Sequence, residues 1–176
     1  MPLAETLYAL LLAHTIKAPA PGWSETTEER NARLRSIAED AAFVAKDVPE
    51  DALLILGVAE HESGFEVSVD KGPCYRGKDG TGPQCDSGRA ACMMQILASS
   101  EKEKAQLFAD RRYCFAKGLK TLKSSQGMCL KYGEEYQFGA YAAGDCERGL
   151  QGSRELLAYW RNWLALYGMQ KAKETK

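Results

Sequence analysis

One short segment of the chain combines residue types that could transfer protons. It runs Ala59-Glu60-His61-Glu62-Ser63-Gly64-Phe65 and follows a strongly apolar stretch. On a helix, Glu62 would lie above Ile55, Val58 and Ala59. A carboxyl in such a place is poorly solvated when charged, which favours the protonated form that a general acid needs. Glu62 is therefore our candidate catalytic acid and base, and a plain salt bridge or cap at a helix end is the alternative interpretation.

The neighbouring polar residues fit catalysis less well. On a helix, His61 would point about 100° away from Glu62, and Glu60 would lie roughly opposite. We assign His61 to packing or to the surface. A second carboxylate, Asp86, lies in the polar segment Gln-Cys-Asp-Ser-Gly, whose composition is typical of a turn.

The elements that position Glu62 are predicted to be helices. Leu3 to Ile16 is apolar enough for a short helix, and Ala18-Pro-Ala-Pro-Gly22 would end it. Thr26-x-x-Glu29 is typical of a capping box, and Pro49 with two acids behind it is typical of a first helical turn. Further helical patterning covers Met93–Ile96, Glu101–Leu122, Glu134–Ala143 and Ser153–Tyr167.

Two apolar patterns predict the core. One is a helical stripe, and the other is the nearly continuous run Leu53–Val58, which indicates a helix buried on most sides. Trp160 and Trp163 lie at helical spacing with leucines, so we place them in the core. Residues 68–89 are rich in Gly, Pro and Asp, which predicts a long loop or small hairpin. The fold class is therefore mainly α. The helical stripe, the first of these two apolar patterns, consists of Leu34, Ile37, Ala38, Ala41 and Ala45.

Length and charge exclude several classes of protein. A chain of 176 residues suffices for one substantial core but not for two ordinary domains. Lys and Arg total 23 against 24 acids, which argues against a nucleic-acid partner. Leu3–Ile16 carries Glu5 and no preceding basic residue, so it fits neither a signal peptide nor a membrane span. We expect a monomer without an integral membrane segment.

The six cysteines indicate disulfides rather than a metal site. No pair is spaced as Cys-x-x-Cys, so we predict no metal ligands and no cofactor. We predict at least two disulfides, with Cys74 bonded to Cys85, Cys114 bonded to Cys129, and Cys92 near Cys146. Disulfides imply an oxidising compartment: periplasm, extracellular space or virion.

Four ordered blocks carry a wider resemblance. The first is Glu62-Ser63-Gly64-Phe65, and the second is Cys92-Met93-Met94-Gln95-Ile96. The third runs from Leu107 through Phe115 and Gly118 to Leu122, and the fourth is Ala140-Tyr141-Ala142-Ala143-Gly144. In order and spacing they resemble motifs of the lytic transglycosylase and goose-type lysozyme superfamily. Cys92 stands where that family has glycine, and Ala142 where it has asparagine.

The resemblance implies a lysozyme-like domain over 23–170, preceded by a helix and linker over 1–22 and followed by a charged tail over 171–176. It implies an enzyme that cleaves the β-1,4 bond between N-acetylmuramic acid and N-acetylglucosamine in peptidoglycan. Glu62 would be the general acid and base. Ser63, Met94, Gln95 and Tyr141 would contact or support the substrate.

Two alternatives to a lytic transglycosylase stay open. Goose-type lysozymes place an aspartate before the second block, and Asp86 resembles it, so Glu62 and Asp86 together would favour hydrolysis. The departures at Cys92 and Ala142 are compatible with a third possibility, a catalytically weak protein that binds peptidoglycan.

Overall fold

The computed structural model describes residues 1–14, 23–70 and 90–174, and within them the chain is mainly helical. The first four helices are α1 (Leu3–Ala13), α2 (Thr27–Val44), α3 (Pro49–Ser63) and the single turn α4 (Val67–Asp70). Two short antiparallel strands follow, β1 (Ala90–Ala91) and β2 (Ile96–Leu97). The second half contains α5 (Glu101–Ala109), α6 (Arg111–Cys129), 3-10 turns at Leu130–Tyr132 and Glu134–Tyr136, α7 (Gly139–Ala143) and α8 (Leu150–Glu174).

Local signals that the sequence carries set the starts of α2 and α3. The Thr26 hydroxyl accepts from the Glu29 N–H at 3.1 Å, and the Glu29 carboxylate accepts from the Thr26 N–H at 2.8 Å, which confirms the capping box. Pro49 occupies the first turn of α3, where a missing N–H costs nothing because it would have no helical partner.

Helix α3 forms the centre of the core, as its apolar run predicts. Its residues from Ala52 to Ala59 are all buried, and it packs against α8, α2 and α6. Gly57 lets α8 approach closely, since a Cβ there would lie 3.1 Å from the Trp160 backbone. Trp163 is fully buried and Trp160 packs against the core. The predicted stripe is confirmed, because its four residues on α2 and Ala45, which directly follows the helix, are all buried.

Four predictions of secondary structure are wrong. The predicted helix Glu134–Ala143 is a 3-10 turn over Glu134–Tyr136 and a separate short helix, α7, because the chain leaves the helical hydrogen-bond pattern at residues 137–138. Residues 92–95 form the turn between β1 and β2, not a helix. The predicted helix Glu101–Leu122 is two helices, because Asp110 adopts an extended conformation and its carboxylate caps α6 from the Tyr113 N–H at 3.0 Å. The predicted loop begins later than Ser68, since Val67–Asp70 is helical. Its remainder lies outside the described residues.

The described residues contain two disulfides, as predicted, but they do not join the cysteines that were predicted to pair. Cys92 bonds Cys114, and Cys129 bonds Cys146. The predicted Cys114–Cys129 bond is wrong because both cysteines lie on α6, about 22 Å apart along a helix that rises about 1.5 Å per residue. Cys92 is consequently not paired with Cys146. The predicted bond between Cys74 and Cys85 lies outside the described residues.

Among the described helices, none combines the length and apolar character that crossing a membrane requires.

Candidate active site

Glu62 lies in the last turn of the buried helix α3, and the chain turns sharply just after it. Gly64 adopts φ 57° and donates its N–H to the Glu60 carbonyl at 2.7 Å. Phe65 also adopts a left-handed φ of 54°, a conformation that non-glycine residues hold only when their surroundings enforce it. The turn therefore fixes where the end of α3 projects its carboxylate.

Side chains from α3 and α2 enforce this turn. Ser63 is buried; its hydroxyl donates to the Ala59 carbonyl at 2.6 Å and accepts from the Phe65 N–H at 3.3 Å. Arg33 on α2 donates to the Phe65 carbonyl at 2.9 Å and forms two contacts with Glu25, at 2.7 and 2.9 Å. Ser63 thus supports the backbone beside Glu62, and its predicted contact with substrate stays a prediction.

The 92–95 turn is a second rigid part of the site. Cys92 and Gln95 have φ values of 60° and 48°, and the Gln95 N–H and side-chain amide each donate to the Cys92 carbonyl at 3.0 Å. Met94 is fully buried against α6, where any side chain at Gly118 would collide with its sulfur. The Cys92–Cys114 disulfide fastens the same turn to α6.

Tyr141 on α7 contacts the 92–95 turn and lies within electrostatic reach of Glu62. Its hydroxyl donates to the Met94 carbonyl at 2.5 Å, and its N–H donates to the Ser125 hydroxyl at 3.2 Å. Burial, and secondarily the negative charge of Glu62, raises the pKa of Tyr141 well above 10. The hydroxyl is therefore a stable donor, and Glu62 lies close enough for its charge to act on it.

His61 contacts Glu62, which the helical projection did not predict. Its Nδ1 lies 3.3 Å from Glu62 Oε1, and its Nε2 lies 3.3 Å from Glu155 Oε2 on α8. Gln151 donates to the other oxygen of Glu155 at 2.7 Å. The Glu62 side chain is 24% exposed and that of His61 is 22% exposed. Both are therefore reachable from solvent without being fully hydrated.

The structure brings some of the predicted residues together and not others. The Tyr141 hydroxyl donates a hydrogen bond to the Met94 carbonyl, and burial together with the charge of Glu62 raises the pKa of Tyr141. The side-chain amide of Gln95 donates a hydrogen bond to the Cys92 carbonyl within the same turn. Asp86 lies outside the described residues, so its predicted role stays a prediction.

Sequence reasoning missed His61, Glu155 and Ser125. His61 was projected away from Glu62, but two long side chains on adjacent positions can bend toward each other. Glu155 is 94 residues distant in sequence from His61, and no local signal indicates that contact. Ser125 lies in a polar part of α6, although its burial indicates an internal hydrogen-bond role.

A polar cluster lies elsewhere, beside the segment that precedes the undescribed residues 71–89. Arg111 donates twice to Asp70 at 2.8 Å, and to Ser36 and Asp40 at 2.8 and 2.9 Å. It adjoins a pocket of about 340 Å³. These groups satisfy one another and tie α4, α2 and α6 together. Over residues 1–14, 23–70 and 90–174, no cluster of His, Cys, Asp and Glu could hold a metal ion.

Comparisons with known proteins found no match in models of protein families, among curated proteins or among solved structures.

Proposed function

We propose that this chain has a lysozyme-like domain and cleaves the glycan strands of peptidoglycan as a lytic transglycosylase, with Glu62 as its acid and base. The observation that supports this most is that only one of the two Glu62 carboxyl oxygens has a hydrogen-bond partner among the described residues. His61 contacts Oε1, and Oε2 has no hydrogen-bond partner among the described residues. One oxygen is therefore held while the other can exchange a proton with a substrate.

The surroundings of Glu62 suit a site that must hold its geometry. The carboxyl projects from a buried helix, and a disulfide and Tyr141 fix the 92–95 turn. The charge of Glu62 acts on Tyr141, which relates the two parts. Catalytic groups are effective when packed elements hold them within a fraction of an ångström. Such rigidity supports catalysis over a role for Glu62 as a surface charge.

The proposed reaction uses the single carboxyl twice. Glu62 gives its proton to the glycosidic oxygen between N-acetylmuramic acid and N-acetylglucosamine. The bond from that oxygen to the muramyl C1 then breaks, and its electron pair stays on the oxygen. The substrate's N-acetyl group stabilises the positive charge at C1. The muramyl C6 hydroxyl attacks C1 and returns its proton to Glu62, which leaves a 1,6-anhydro ring.

The disulfides support where such an enzyme would work. Cys92–Cys114 and Cys129–Cys146 persist in an oxidising compartment. We place the protein in the periplasm, outside the cell or on a virion, where peptidoglycan is accessible.

Mass spectrometry of digested, purified peptidoglycan tests the proposed function. We expect soluble 1,6-anhydromuropeptides. Reducing ends would instead indicate hydrolysis, with Asp86 as the candidate to orient the water. An undigested glycan that retains the protein would indicate binding without cleavage, and an undigested glycan without bound protein would refute both.

A further inference from the structure

Three polar side chains form a chain of contacts across the α3–α8 interface. Glu62 Oε1 lies 3.3 Å from His61 Nδ1, and His61 Nε2 lies 3.3 Å from Glu155 Oε2. The edge of His61 faces the Tyr159 ring, with centroids 5.3 Å apart and planes at 78°. The imidazole is thus held at both nitrogens and on its ring.

The carboxylates of Glu62 and Glu155, on the two sides of His61, can only accept hydrogen bonds when they are ionised. A neutral imidazole has one N–H, so it can donate to only one of two carboxylates. The imidazolium has two N–H groups and can donate to both. The observed arrangement therefore suits a protonated His61.

We infer that His61 is a positioning residue that occupies Oε1 of Glu62 and so directs the reactive proton of Glu62 to Oε2. A protonated carboxyl still accepts at the oxygen that carries no proton, so the His61 contact persists before and after proton transfer. When Glu62 has given its proton away, the imidazolium also stabilises the resulting carboxylate. This inference rests on the proposed function and specifies the orientation of its acid.

The electrostatics support this geometry. The hydrogen bond to Glu62 raises the pKa of His61 above 6.5; burial opposes this shift, and the charge of Glu62 and the contacts with Glu155 add to it. Glu62 faces the ring from its own helix and Glu155 faces it from α8. Because the pKa is raised, His61 donates to both carboxylates below pH about 6.5. As the pH rises through the raised value, the ring keeps a single N–H, for which Glu62 and Glu155 compete, and Glu62 no longer has a permanent donor.

Two substitutions of His61 by an amide side chain distinguish the roles of its two ring nitrogens. The amide nitrogen of His61→Asn can occupy the place of Nδ1 and donate to Glu62, whereas that of His61→Gln reaches the place of Nε2 and Glu155. If His61 positions Glu62, His61→Gln lowers kcat by roughly 10- to 100-fold with little change in KM. His61→Asn retains most of kcat, and the alkaline decline that His61 imposes on the wild-type pH profile disappears.

Glu155→Gln is the second test, because it removes a charge from the far side of the ring. It should move the alkaline limb of the activity profile to lower pH while kcat at acid pH stays within about twofold. Equal kcat and identical pH profiles for the wild type and both His61 variants would overturn the inference.

A measurement without substrate separates this inference from the proposed function. NMR titration of the His61 ring should give a pKa above 6.5 in the wild type and a lower value in Glu62→Gln. If the wild type does not cut peptidoglycan but His61 titrates in this way, the proposed function fails and the contact stands. If the His61 titration is the same in both proteins, the inference fails whatever the activity.

Discussion

Two glutamates at the end of α3 illustrate how neighbouring carboxyls acquire different roles. Glu60 accepts from the Trp163 indole N–H at 2.7 Å and lies 3.4 Å from His14 Nδ1. His14 stacks on the Trp163 ring with centroids 4.2 Å apart. Glu60 thus links α1, α3 and α8. Glu62, two residues later, contacts only His61 among the described side chains that could donate to it.

The difference lies in which groups satisfy each carboxyl. A carboxylate that accepts from a buried donor is part of the packing, since removal leaves that donor unsatisfied. A carboxyl held at one oxygen by a partly exposed histidine can gain and lose a proton without disturbing the core. Glu60 is therefore part of the packing, whereas Glu62 contacts one partly exposed histidine among the described residues, as the proposed acid requires.

The largest expected effect concerns Glu62→Gln. An amide keeps the shape of the side chain but cannot deliver a proton, so cleavage should fall by about 10² to 10⁴-fold. The free energy of unfolding should change by less than about 0.5 kcal/mol. Turnover on purified peptidoglycan and denaturant unfolding measure the two quantities.

Glu39→Gln is the matched control for that variant. Glu39 is exposed on α2, so the same change there should leave both turnover and stability near those of the parent. Near-native turnover in Glu62→Gln would end the catalytic assignment. Glu60→Gln is unsuitable as a control because of its contacts with Trp163 and His14.

The second prediction concerns the 92–95 turn, whose Met94 carbonyl accepts a hydrogen bond from Tyr141. Replacing both Cys92 and Cys114 by serine removes a bond that closes a loop of 22 residues, which should destabilise the protein by about 3 kcal/mol. Turnover should fall as well, because the turn would no longer be fastened to α6. Thermal or denaturant unfolding, with turnover measured below the transition, checks this. Unchanged stability and turnover would mean that the bond is dispensable for the site.

The third prediction concerns the stabilising glutamate. Glu60→Ala leaves the Trp163 indole N–H without its acceptor, so the protein should lose about 1 to 3 kcal/mol of stability. Turnover of the folded fraction should stay within about threefold of the parent, because the substitution leaves the Glu62 carboxyl and its contact with His61 in place. Making Glu60→Ala in a Trp163→Phe background isolates the pair, because the packing cost of the smaller ring cancels in the double-mutant cycle and only the hydrogen-bond contribution remains. A fully stable but inactive Glu60→Ala would reverse the two roles.

The smallest effect is expected for Tyr141→Phe. Losing the hydrogen bond to the Met94 carbonyl should cost about 1 kcal/mol. The pKa of Tyr141 is raised in the folded protein, so the wild type should lose stability as the pH rises above about 10, where the unfolded chain releases the proton first. The variant lacks that group, and its deficit should narrow in this range. A deficit that is constant from pH 8 to 11 would contradict the raised pKa.

The sequence predicts elements whose signals are local. The capping box at Thr26, the first-turn Pro49 and the buried run Leu53–Val58 each depend on residues close in the chain, and each is confirmed. Met93–Ile96 is too short for periodicity to separate a helix from a hairpin turn, and the structure forms a turn.

Contacts between distant residues could not be predicted in the same way. The extent of α6 to Cys129 decides the disulfide pairing, yet the polar segment before Cys129 contains Gly127 and lacks a clear apolar stripe. The His61–Glu155 contact depends on how α8 crosses α3. The sequence marks Glu62 as a candidate through its own segment and the four-block resemblance, whereas Glu155, which contacts the other nitrogen of His61, lies 94 residues from that histidine.

A crystal structure of the Glu62→Gln variant with a bound fragment of peptidoglycan glycan tests most directly whether Glu62 is the catalytic acid. We predict that the glycan spans the end of α3 and that the side chain of residue 62 lies about 2.6 to 3.2 Å from a glycosidic oxygen, the distance that proton transfer requires. The nitrogen or oxygen in the place of Oε2 should make this contact, with His61 at the other atom. A glycan bound elsewhere, or one whose glycosidic oxygens all lie more than about 6 Å from residue 62, would contradict the central claim.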